Sequence, residues 1–595
     1  MERKGRGRLA AETAVTVLCL ALLCFFVSLK EGFHMDELLS FELANAEYNP
    51  WIVPTQPEGR LAKYVHNEID GESLGETLKN LTAELKDLLQ NRGLSKLLNY
   101  KADVYEEPVW ITGEQFRDYI TVDGEDAFNY LSVYFNVKDD NHPPLHFMLL
   151  HTVSSLFRGR AEVWMGCAVN LAAMAVILIL LMKTGAMLAE ALGMAAYSRQ
   201  AGLLCALLYG LSAGAVATTL LIRMYAMVTM WCVAYFYIVL KKWRENSFDG
   251  KNGGLILVTA LGFWTQYFFL FYCIFLAGTV TLLLCVQKKR RQLWGFVRSM
   301  AAAASVGLAV FPFAVSDVFR SGRGVEALKN LSQGLSGYGE RLGVFLRILG
   351  QRTFSPLLWL ALLVSAAAAL AVRLKRRRGD GAEAQGNVQM NVQVNVQKKG
   401  REKAVYLTLL LIPMAGYFLM AARMSPYLVD RYIMPLFPFV ILAGTLFIIS
   451  LSGGPEGRRR IAVFGLLAAA LQIAGIAQYD GSYLYRGYKA QESVAAEYGE
   501  NACICVYDGV GYYENLKEFV CYSKTLLLKQ DELKSRRERE SIESLEEFVL
   551  LIKGGVAEEE VLALFAEQYG FTLQRQILDE GSVYGDKIYF LGKGA

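Results

Sequence analysis

The chain has 595 residues, of which 54% are hydrophobic, 12% aromatic and only 20% charged. This composition is too apolar for a set of soluble domains and predicts a polytopic membrane protein. The 61 basic and 57 acidic residues give a net charge of +4, a balance that does not indicate binding to nucleic acid.

The N-terminal segment predicts an uncleaved membrane helix. A basic flank precedes an apolar run from about residue 14 to residue 29, and no small-residue cleavage site follows it. This arrangement predicts that the N-terminus lies in the cytoplasm. Residues 30–142 are a polar excursion with helical periodicity around 72–99, which predicts a structured first extracytoplasmic loop.

Apolar runs of spanning length continue through the chain. They lie near 161–183, 201–222, 224–241, 254–286, 296–316, 355–373, 404–421, 432–451 and 461–477. The basic clusters that begin at 241, 287, 373 and 457 should share the cytoplasmic side with the N-terminus. This requirement splits 254–286 into two short spans that turn near Gln266 and Tyr267, and makes 142–157 an interfacial or re-entrant helix. We therefore predict an α-helical polytopic membrane protein with about 11 transmembrane helices, within a range of 9 to 13.

Two further segments complete the predicted domain organisation of a membrane core over 1–477 and a C-terminal domain over 478–595. Residues 374–403 contain a threefold Asn-Val-Gln repeat between basic flanks, which predicts a disordered cytoplasmic linker. Residues 478–595 alternate short β-type runs with helical ones, which predicts a small extracytoplasmic α/β domain. The cysteines of this domain lack the spacing of a zinc site, and a disulfide among them stays open. They are Cys503, Cys505 and Cys521.

The motif HMDE follows the first membrane helix on the predicted extracytoplasmic face. A carboxylate beside apolar walls can have its pKa raised and can act as a general base towards a hydroxyl. Adjacent side chains point in different directions, so Asp36 and Glu37 should have different roles, and we assign Asp36 to the reaction. The alternative is that polar residues simply end the membrane helix. His34 is kept as a candidate substrate-binding residue.

The second polar motif is DDNHPPLHF, which ends the first loop. Its prolines set the start of an apolar helix, and an acid before a helix start is often only a cap, so structural and functional interpretations both stand. We include Asp140 and His142 as candidate substrate-binding residues. All five histidines fall between residues 34 and 151, which indicates a polar site in this region or, alternatively, an interfacial segment.

Two arginines lie between apolar spans, on the same predicted extracytoplasmic face of the membrane. Arg223 and Arg431 each have a planar guanidinium that suits a phosphate, whereas the alternatives are snorkelling to lipid headgroups and, for Arg431, a local ion pair with Asp430. Three tyrosines of these stretches are further candidates for substrate binding. They are Tyr225, Tyr267 and Tyr432.

Taken in order, these motifs resemble those of the GT-C glycosyltransferases. The resemblance rests on the acidic pair after the first helix, HPPL at the end of a long first loop, RMY between two later spans, and a late RYxxPxxPF. It is strongest to the family that includes protein O-mannosyltransferases and lipid A aminoarabinose transferases, the glycosyltransferase family 39-like branch. It covers about residues 8–480 in architecture.

The resemblance implies a transferase that moves a sugar from a polyprenyl-phosphate-linked donor to an extracytoplasmic glycan, lipid or protein, with inversion. By this resemblance Asp36 is the catalytic base, Glu37 is a second catalytic residue that shapes the acceptor site, and Arg431 is the candidate for the lipid phosphate. The protein would lie in the plasma membrane, in contact with membrane lipids. No cofactor is predicted, because the further acidic motifs of the metal-dependent relatives are not found, although a divalent cation stays open.

Two other classes of protein fit part of the sequence. A transporter or flippase of a lipid-linked sugar would also have many spans, but such proteins tend to carry their sites near the bilayer midplane within internal repeats, and no repeat of that kind is found. A non-enzymatic sensor or assembly protein would use its C-terminal domain to bind a partner. The polar motifs on one face favour the enzyme.

Overall fold

The computed structural model describes most of the chain. The described residues are 2–48, 52, 64–65, 68–71, 73–90, 109–138, 140, 142–315, 322–332, 336–379, 390–451, 457–476, 479–535, 538–578 and 582–594. His66, one of the five histidines, lies outside them, as does part of the first loop.

Long apolar helices build the membrane part of the protein. The helices that precede the C-terminal domain, outside the first loop, are α1 (Glu2–Ser28), α6 (Leu145–Leu156), α7 (Val163–Ala191), α8 (Ser198–Gly210), α9 (Ala213–Leu220), α10 (Tyr225–Glu245), α11 (Gly253–Phe263), α12 (Phe269–Val286), α13 (Arg290–Val310), α14 (Gly322–Ser332), α15 (Tyr338–Thr353), α16 (Pro356–Gly379), α17 (Met390–Met424), α18 (Phe437–Leu451) and α19 (Gly457–Ile476).

Length and hydropathy identify the membrane-crossing candidates. Among the described residues seven helices are long and apolar enough, and nine if each of two bent pairs counts as one span. The pairs bend by 58° between α8 and α9 and by 104° between α15 and α16. The fold class is therefore confirmed, whereas the count of eleven stays a prediction.

The two irregular regions expected from the charge pattern, 254–286 and 142–157, are present as a broken helix and a short helix. The chain breaks between α11 and α12 at residues 264–268, where the turn near Gln266 and Tyr267 was predicted. The 12-residue helix α6 begins directly after Pro144 and is too short to cross a bilayer.

Small residues bring the central helices close together. A Cβ atom on Gly202 of α8 would lie 2.2 Å from the carbonyl oxygen of Met182 on α7, and one on Gly185 would lie 3.0 Å from Sγ of Cys205. Contacts this short require glycine, which lets the backbones of membrane helices approach. The packed pair α7 and α8 forms part of the buried core.

The first loop contributes short helices and one strand. Its elements are α2 (Met35–Asn45), α3 (Leu74–Gln90), β1 (Val109–Thr112), α4 (Gly113–Ile120) and α5 (Tyr130–Asn136). Most of α2 is buried, so the residues after the first membrane helix are part of the protein core and not a solvated end. Of the amphipathic helix predicted around 72–99, α3 covers Leu74–Gln90, and residues 91–99 lie outside the described residues.

The C-terminal domain has the α/β fold that the sequence predicts. Its elements are α20 (Tyr488–Glu497), β2 (Ala502–Tyr507), α21 (Leu516–Phe519), β3 (Lys524–Lys529), α22 (Gln530–Ser535), α23 (Arg539–Glu543), β4 (Glu547–Ile552), α24 (Glu558–Tyr569), β5 (Phe571–Leu578) and β6 (Lys587–Lys593). The strands of this domain pack apolar side chains into a core that is separate from that of the membrane part. Its three cysteines are free.

One strand of this sheet comes from the first loop. The order of the described strands is β1-β3-β2-β4-β6-β5, with β2 parallel to β3 and β4 and the other pairs antiparallel. Strand β1 pairs with β3 in the register that sets Trp110 opposite Leu526. The first loop and the C-terminal domain therefore share one sheet, which the domain prediction did not include.

Residues 374–403, predicted as a disordered linker, are helical at both ends. Helix α16 extends to Gly379 and α17 begins at Met390. The central part of the predicted linker, 380–389, lies outside the described residues.

Candidate functional site

The motif HMDE forms the start of α2 and is fixed by a capping box. Nδ1 of His34 accepts a hydrogen bond from the backbone N–H of Asp36 (3.1 Å), and the backbone N–H of His34 donates to Oε2 of Glu37 (2.8 Å). Such reciprocal bonds satisfy donors that a helix start leaves unpaired. His34 therefore positions the two acids. Its burial lowers the pKa of the imidazole, although both acids act to raise it.

The Glu37 carboxylate points into the protein and is fully buried. Besides His34, it accepts hydrogen bonds from Nζ of Lys30 at 2.9 and 3.2 Å and from the backbone N–H of Ile222 at 2.8 Å. Lys30 is also buried and donates to the carbonyl of Tyr483 at 2.7 Å. The contacts of Glu37 are those of a positioning residue, because they join α2 to the end of α1 and to the segment before α10.

Asp36 points in another direction and is partly open to solvent, with a side chain that is 22% exposed. Its carboxylate contacts the guanidinium of Arg431, and its Oδ2 lies 3.5 Å from Nδ1 of His34. Burial acts to raise the pKa of this carboxyl, but the guanidiniums of Arg223 and Arg431 outweigh it and hold the pKa below its usual range. The raised pKa considered from the sequence is thus wrong, and Asp36 is ionised at neutral pH.

Arg223 lies directly behind Asp36 in the segment between α9 and α10. Its Nη1 donates to the backbone carbonyl of Asp36 (3.0 Å) and to Oγ of Ser40 (2.8 Å), which are one helical turn apart on α2. The residue is only 4% exposed, so its contacts are with protein groups and it does not snorkel to a lipid headgroup. Its guanidinium lies 5.9 Å from the ring centre of Phe147 on α6.

The residues before HPPL join the same cluster. The Nδ1 N–H of His142 donates to Oδ2 of Asp140 (2.8 Å), and Nη2 of Arg223 lies against the same ring, 3.4 Å from Nδ1 and 3.5 Å from Nε2. A carboxylate on one ring nitrogen fixes the tautomer and the ring orientation. The structure therefore brings His34, Asp36, Arg223, His142 and Arg431 together from four distant segments.

Aromatic side chains form the wall on the Arg431 side. The guanidinium of Arg431 lies 5.5 Å from the ring centre of Tyr432, which packs edge to face on Tyr225 at 6.3 Å. Tyr432 also stacks on Phe268 at 5.0 Å. At the break between α11 and α12, Phe268 reaches this wall, and the predicted Tyr267 packs on Phe263 at 5.7 Å.

A second charged cluster lies beside the first, and sequence reasoning missed most of it. Arg352, near the end of α15, donates to Asp430 at 3.0 Å and bidentately to Asp480 at 3.1 and 3.2 Å. Asp430 also accepts from the hydroxyl of Tyr483 at 2.5 Å. Asp430 thus pairs with Arg352, while its neighbour Arg431 pairs with Asp36, and the local pair considered from the sequence does not form.

The crowding of histidines does not mark a single site. His146 and His151 are buried on α6, and neither ring nitrogen has a hydrogen-bond partner among the described residues. Among the described histidines, only His34 and His142 contact the charged cluster. Within the described parts of the chain no group of three or more His, Cys, Asp or Glu could hold a metal ion.

Two solved structures are similar to this chain. ArnT from Cupriavidus metallidurans bound to undecaprenyl phosphate is 12% identical, with a TM-score of 0.42 over 76% of this chain and 88% of that one. ArnT from the same organism in the apo state is 12% identical, with a TM-score of 0.41 over 76% and 87%. No family model and no curated protein sequence matches the chain. The likeness concerns the fold, and the function is argued from the contacts of the site.

Proposed function

We propose that this multi-pass membrane protein is a glycosyltransferase that moves a sugar from a polyprenyl-phosphate-linked donor to an extracytoplasmic acceptor with inversion. The observation that carries the proposal is the contact of one ionised carboxylate, Asp36, with the guanidinium of Arg431 in a partly open site, where a second guanidinium, that of Arg223, donates to the backbone carbonyl of Asp36. A base for the attacking hydroxyl and cations for a leaving phosphate are what this transfer requires.

Arg431 is proposed to bind the donor phosphate. Its side chain is 15% exposed, and its Nε, which is buried, has no hydrogen-bond partner among the described residues. The guanidinium therefore keeps a donor beyond the one that contacts Asp36. Phosphate oxygens can accept from Nε and the neighbouring Nη2 in the bidentate geometry that arginine favours, while Nη1 contacts Asp36.

Binding of that phosphate would also free the base. In the structure the Asp36 carboxylate is held by Arg431, which makes it a weak base. A phosphate on Arg431 competes for the same guanidinium and supplies opposing negative charge, so the proton affinity of Asp36 rises when the donor is present. The hydroxyl of the acceptor then gives its proton to Asp36 as its oxygen attacks the anomeric carbon.

The remaining residues are proposed to position the reactants. Glu37 and His34 hold Asp36 in place through the capping box, and Arg223 anchors the first turn of α2. His142, oriented by Asp140, presents its Nε2 towards the same cluster. Tyr225, Tyr267 and Tyr432 are proposed to contact the sugar.

The active site is proposed to face the outside of the plasma membrane. The first loop and the C-terminal domain share a sheet, so both lie on one side of the membrane, and the basic clusters predict that the N-terminus lies on the other. Labelling of cells with a membrane-impermeant maleimide should modify a cysteine introduced at Glu559 and leave one introduced at Lys251 unmodified. The opposite pattern would invert the proposed orientation.

Replacement of Asp36 by Asn tests the base directly. Transfer of sugar from a polyprenyl-phosphate donor in membranes should fall by about 10²–10⁴-fold, the range for loss of a general base. Asp531→Asn, which changes an exposed carboxylate on α22 in the same way, should keep full activity. Full transfer by the folded and inserted Asp36 variant would overturn the assignment. Comparison of cell-envelope glycans and lipids with and without the gene, by mass spectrometry, would identify the acceptor.

A further inference from the structure

A cavity of about 540 Å³ lies beside the charged cluster of Asp36. We call this cavity the side chamber. Its polar lining consists of Gln351, Arg352, Asp430, Asp480, Ser482, Tyr483 and Tyr485. These residues come from the end of α15, the turn before α18 and the segment that leads into the C-terminal domain. None of the reaction roles proposed above involves this chamber.

The side chamber adjoins the proposed reaction centre on two sides. Asp430 directly precedes Arg431 in the short 3-10 turn Asp430–Tyr432. The ring centre of Tyr485 lies 6.5 Å from that of His34 and 4.8 Å from Nζ of Lys30. A molecule in the chamber would therefore lie next to Asp36.

The charges of the side chamber differ from those around Asp36. The chamber has one cation, Arg352, and two carboxylates, Asp430 and Asp480, so it carries one excess negative charge. The hydrogen bonds from Ser482 and Arg352 hold the pKa of Asp480 below its usual range despite burial, so this carboxylate stays ionised. The Asp36 cluster has no such excess, because the guanidiniums of Arg223 and Arg431 balance the carboxylates of Asp36 and Asp140. A phosphate is therefore repelled more strongly by the chamber than by the cluster.

The backbone of the chamber wall is strained. Tyr483 and Tyr485 have φ angles of 68° and 49°, which are rare for bulky residues, and Gly481 and Gly487 on either side are also in the left-handed region at 73° and 90°. Such conformations are costly and are found mainly at functional sites. Here both tyrosines line the chamber.

An apolar groove continues from the side chamber along the membrane helices. A second cavity of about 650 Å³ shares Asp480 and Gly481 with it. Most of its wall consists of apolar side chains of α1 and α19, among them Leu22, Phe26 and Ile473, and its lining also includes Tyr479 and the exposed cation Arg486. A polar chamber that opens into an apolar groove between membrane helices fits an amphipathic molecule.

We infer that the side chamber and the groove bind the acceptor, and that the acceptor is a membrane glycolipid whose headgroup is uncharged or an amine and bears no phosphate. This inference rests on the proposed function. Hydroxyl groups of the sugar would donate to Asp480 and Asp430 and accept from Arg352, and the hydrocarbon chain would lie in the groove. One acceptor hydroxyl forms the new C–O bond, its proton goes to Asp36, and the electron pair of the broken bond leaves with the donor phosphate.

Binding of defined probes tests the inference without any turnover. The full-length protein in phosphatidylcholine nanodiscs is titrated with methyl β-glucoside, octyl β-glucoside and glucose 6-phosphate, and binding is followed by saturation-transfer NMR. Octyl β-glucoside should bind most tightly and glucose 6-phosphate most weakly. Asp480→Lys should weaken binding of both glucosides by about tenfold or more and strengthen that of glucose 6-phosphate, since it reverses the charge balance.

Matched variants separate the two parts of the proposed site. Glu559→Lys makes the same charge change on the exposed face of α24 and should bind all probes as the unmodified protein does. Ile473→Trp, which fills the groove at an exposed position, should abolish the advantage of octyl over methyl β-glucoside. If Asp480→Lys does not give monodisperse protein, Asp480→Asn and Ser482→Ala should each weaken glucoside binding.

Three results would overturn the inference. They are equal binding of methyl β-glucoside and glucose 6-phosphate, unchanged binding by the Asp480 variants, and an octyl advantage that survives Ile473→Trp. Failure of the proposed function would give a different result. The unmodified protein would then transfer no sugar, while these binding preferences persisted. Asp36→Asn should keep glucoside binding in either case, as it lies outside the chamber lining.

Discussion

The carboxylate of Asp36 and the guanidinium of Arg431 form an ion pair between residues 395 positions apart in the sequence. The pair connects the start of α2 with the turn before α18, and it gives one cation two competing partners once a phosphate is present. The state seen in the structure is therefore one in which the proposed base is restrained by the group that should bind the donor.

Removal of the Arg431 charge should change the pH dependence of transfer as well as its rate. In Arg431→Gln the pKa of Asp36 loses one of the two guanidiniums that depress it, while burial still acts to raise it. The base works only when ionised, so the acidic limb of kcat/KM should move to higher pH, measured in proteoliposomes between about pH 4 and 8. The maximal rate should also fall by about 10²-fold or more, as expected for a lost phosphate contact.

Arg575→Gln provides the control for this experiment. It removes the same charge from an exposed position on β5 and should leave both the rate and the pH profile unchanged. A lower rate with an unshifted acidic limb in the Arg431 variant would mean that Asp36 is not the titrating base.

Loss of one member of the buried ion pair of Lys30 and Glu37 should destabilise the protein more than loss of both. Lys30→Met leaves the Glu37 carboxylate buried without a counter-ion, which should lower the free energy of unfolding by about 3–5 kcal/mol. The double variant Lys30→Met with Glu37→Leu removes both charges and should recover part of that loss. Thermal unfolding of the purified protein would measure both, and a double variant less stable than Lys30→Met would contradict this account.

Gly113 should be essential for the contact between the first loop and the C-terminal domain. A Cβ atom there would lie 2.5 Å from the carbonyl oxygen of Tyr522 and 2.6 Å from that of Val520. Backbone atoms cannot easily move aside, so Gly113→Ala should cost about 1–3 kcal/mol and make the first loop more sensitive to limited proteolysis. Gly339→Ala on α15 meets open space and should be neutral or slightly stabilising. Equal proteolysis rates for the two variants would show that the contact is not tight.

Glu518 should make the C-terminal domain less stable at alkaline pH. Burial, together with Asp586, raises its pKa to about 8, compared with an ordinary value of 4.5. The folded state therefore holds a proton that the unfolded chain loses, so stability is highest below about pH 4.5 and declines as the pH rises to about 8. Glu518→Gln should flatten this decline and raise the free energy of unfolding at pH 8 by about 1 kcal/mol or more. Lower stability of the variant at pH 8 would indicate that the anion is required.

The sequence predicts those features that local patterns encode. Hydropathy identifies helices such as α7, and the charge pattern predicts the break at 264–268. The apolar strands of β2 and β4 identify the C-terminal domain. Asp36 and Arg431 stand out because charged residues beside membrane spans are costly and need a reason.

The remaining features depend on pairing between distant segments, which leaves little local signal. Glu37 looks like a second catalytic acid until its buried partner Lys30 is known, and Lys30 itself resembles an ordinary basic end of a membrane helix. The sequence suggests a pair of Asp430 with its neighbour Arg431, whereas in the fold Asp430 pairs with Arg352. The low pKa of Asp36 follows from two arginines that the sequence places nearly 200 and 400 positions away, so it could not be inferred from apolar surroundings alone.

The strand β1 sets an order of events during biosynthesis. Its partner β3 is translated about 400 residues later, so β1 has no strand to pair with until nearly the whole chain has been made. Contacts of such long range form late in folding, and an open strand edge is exposed to wrong partners until then. A truncated or still growing chain would thus lack a completed first loop, and the proposed enzyme could not act on membrane sugars before its synthesis is finished.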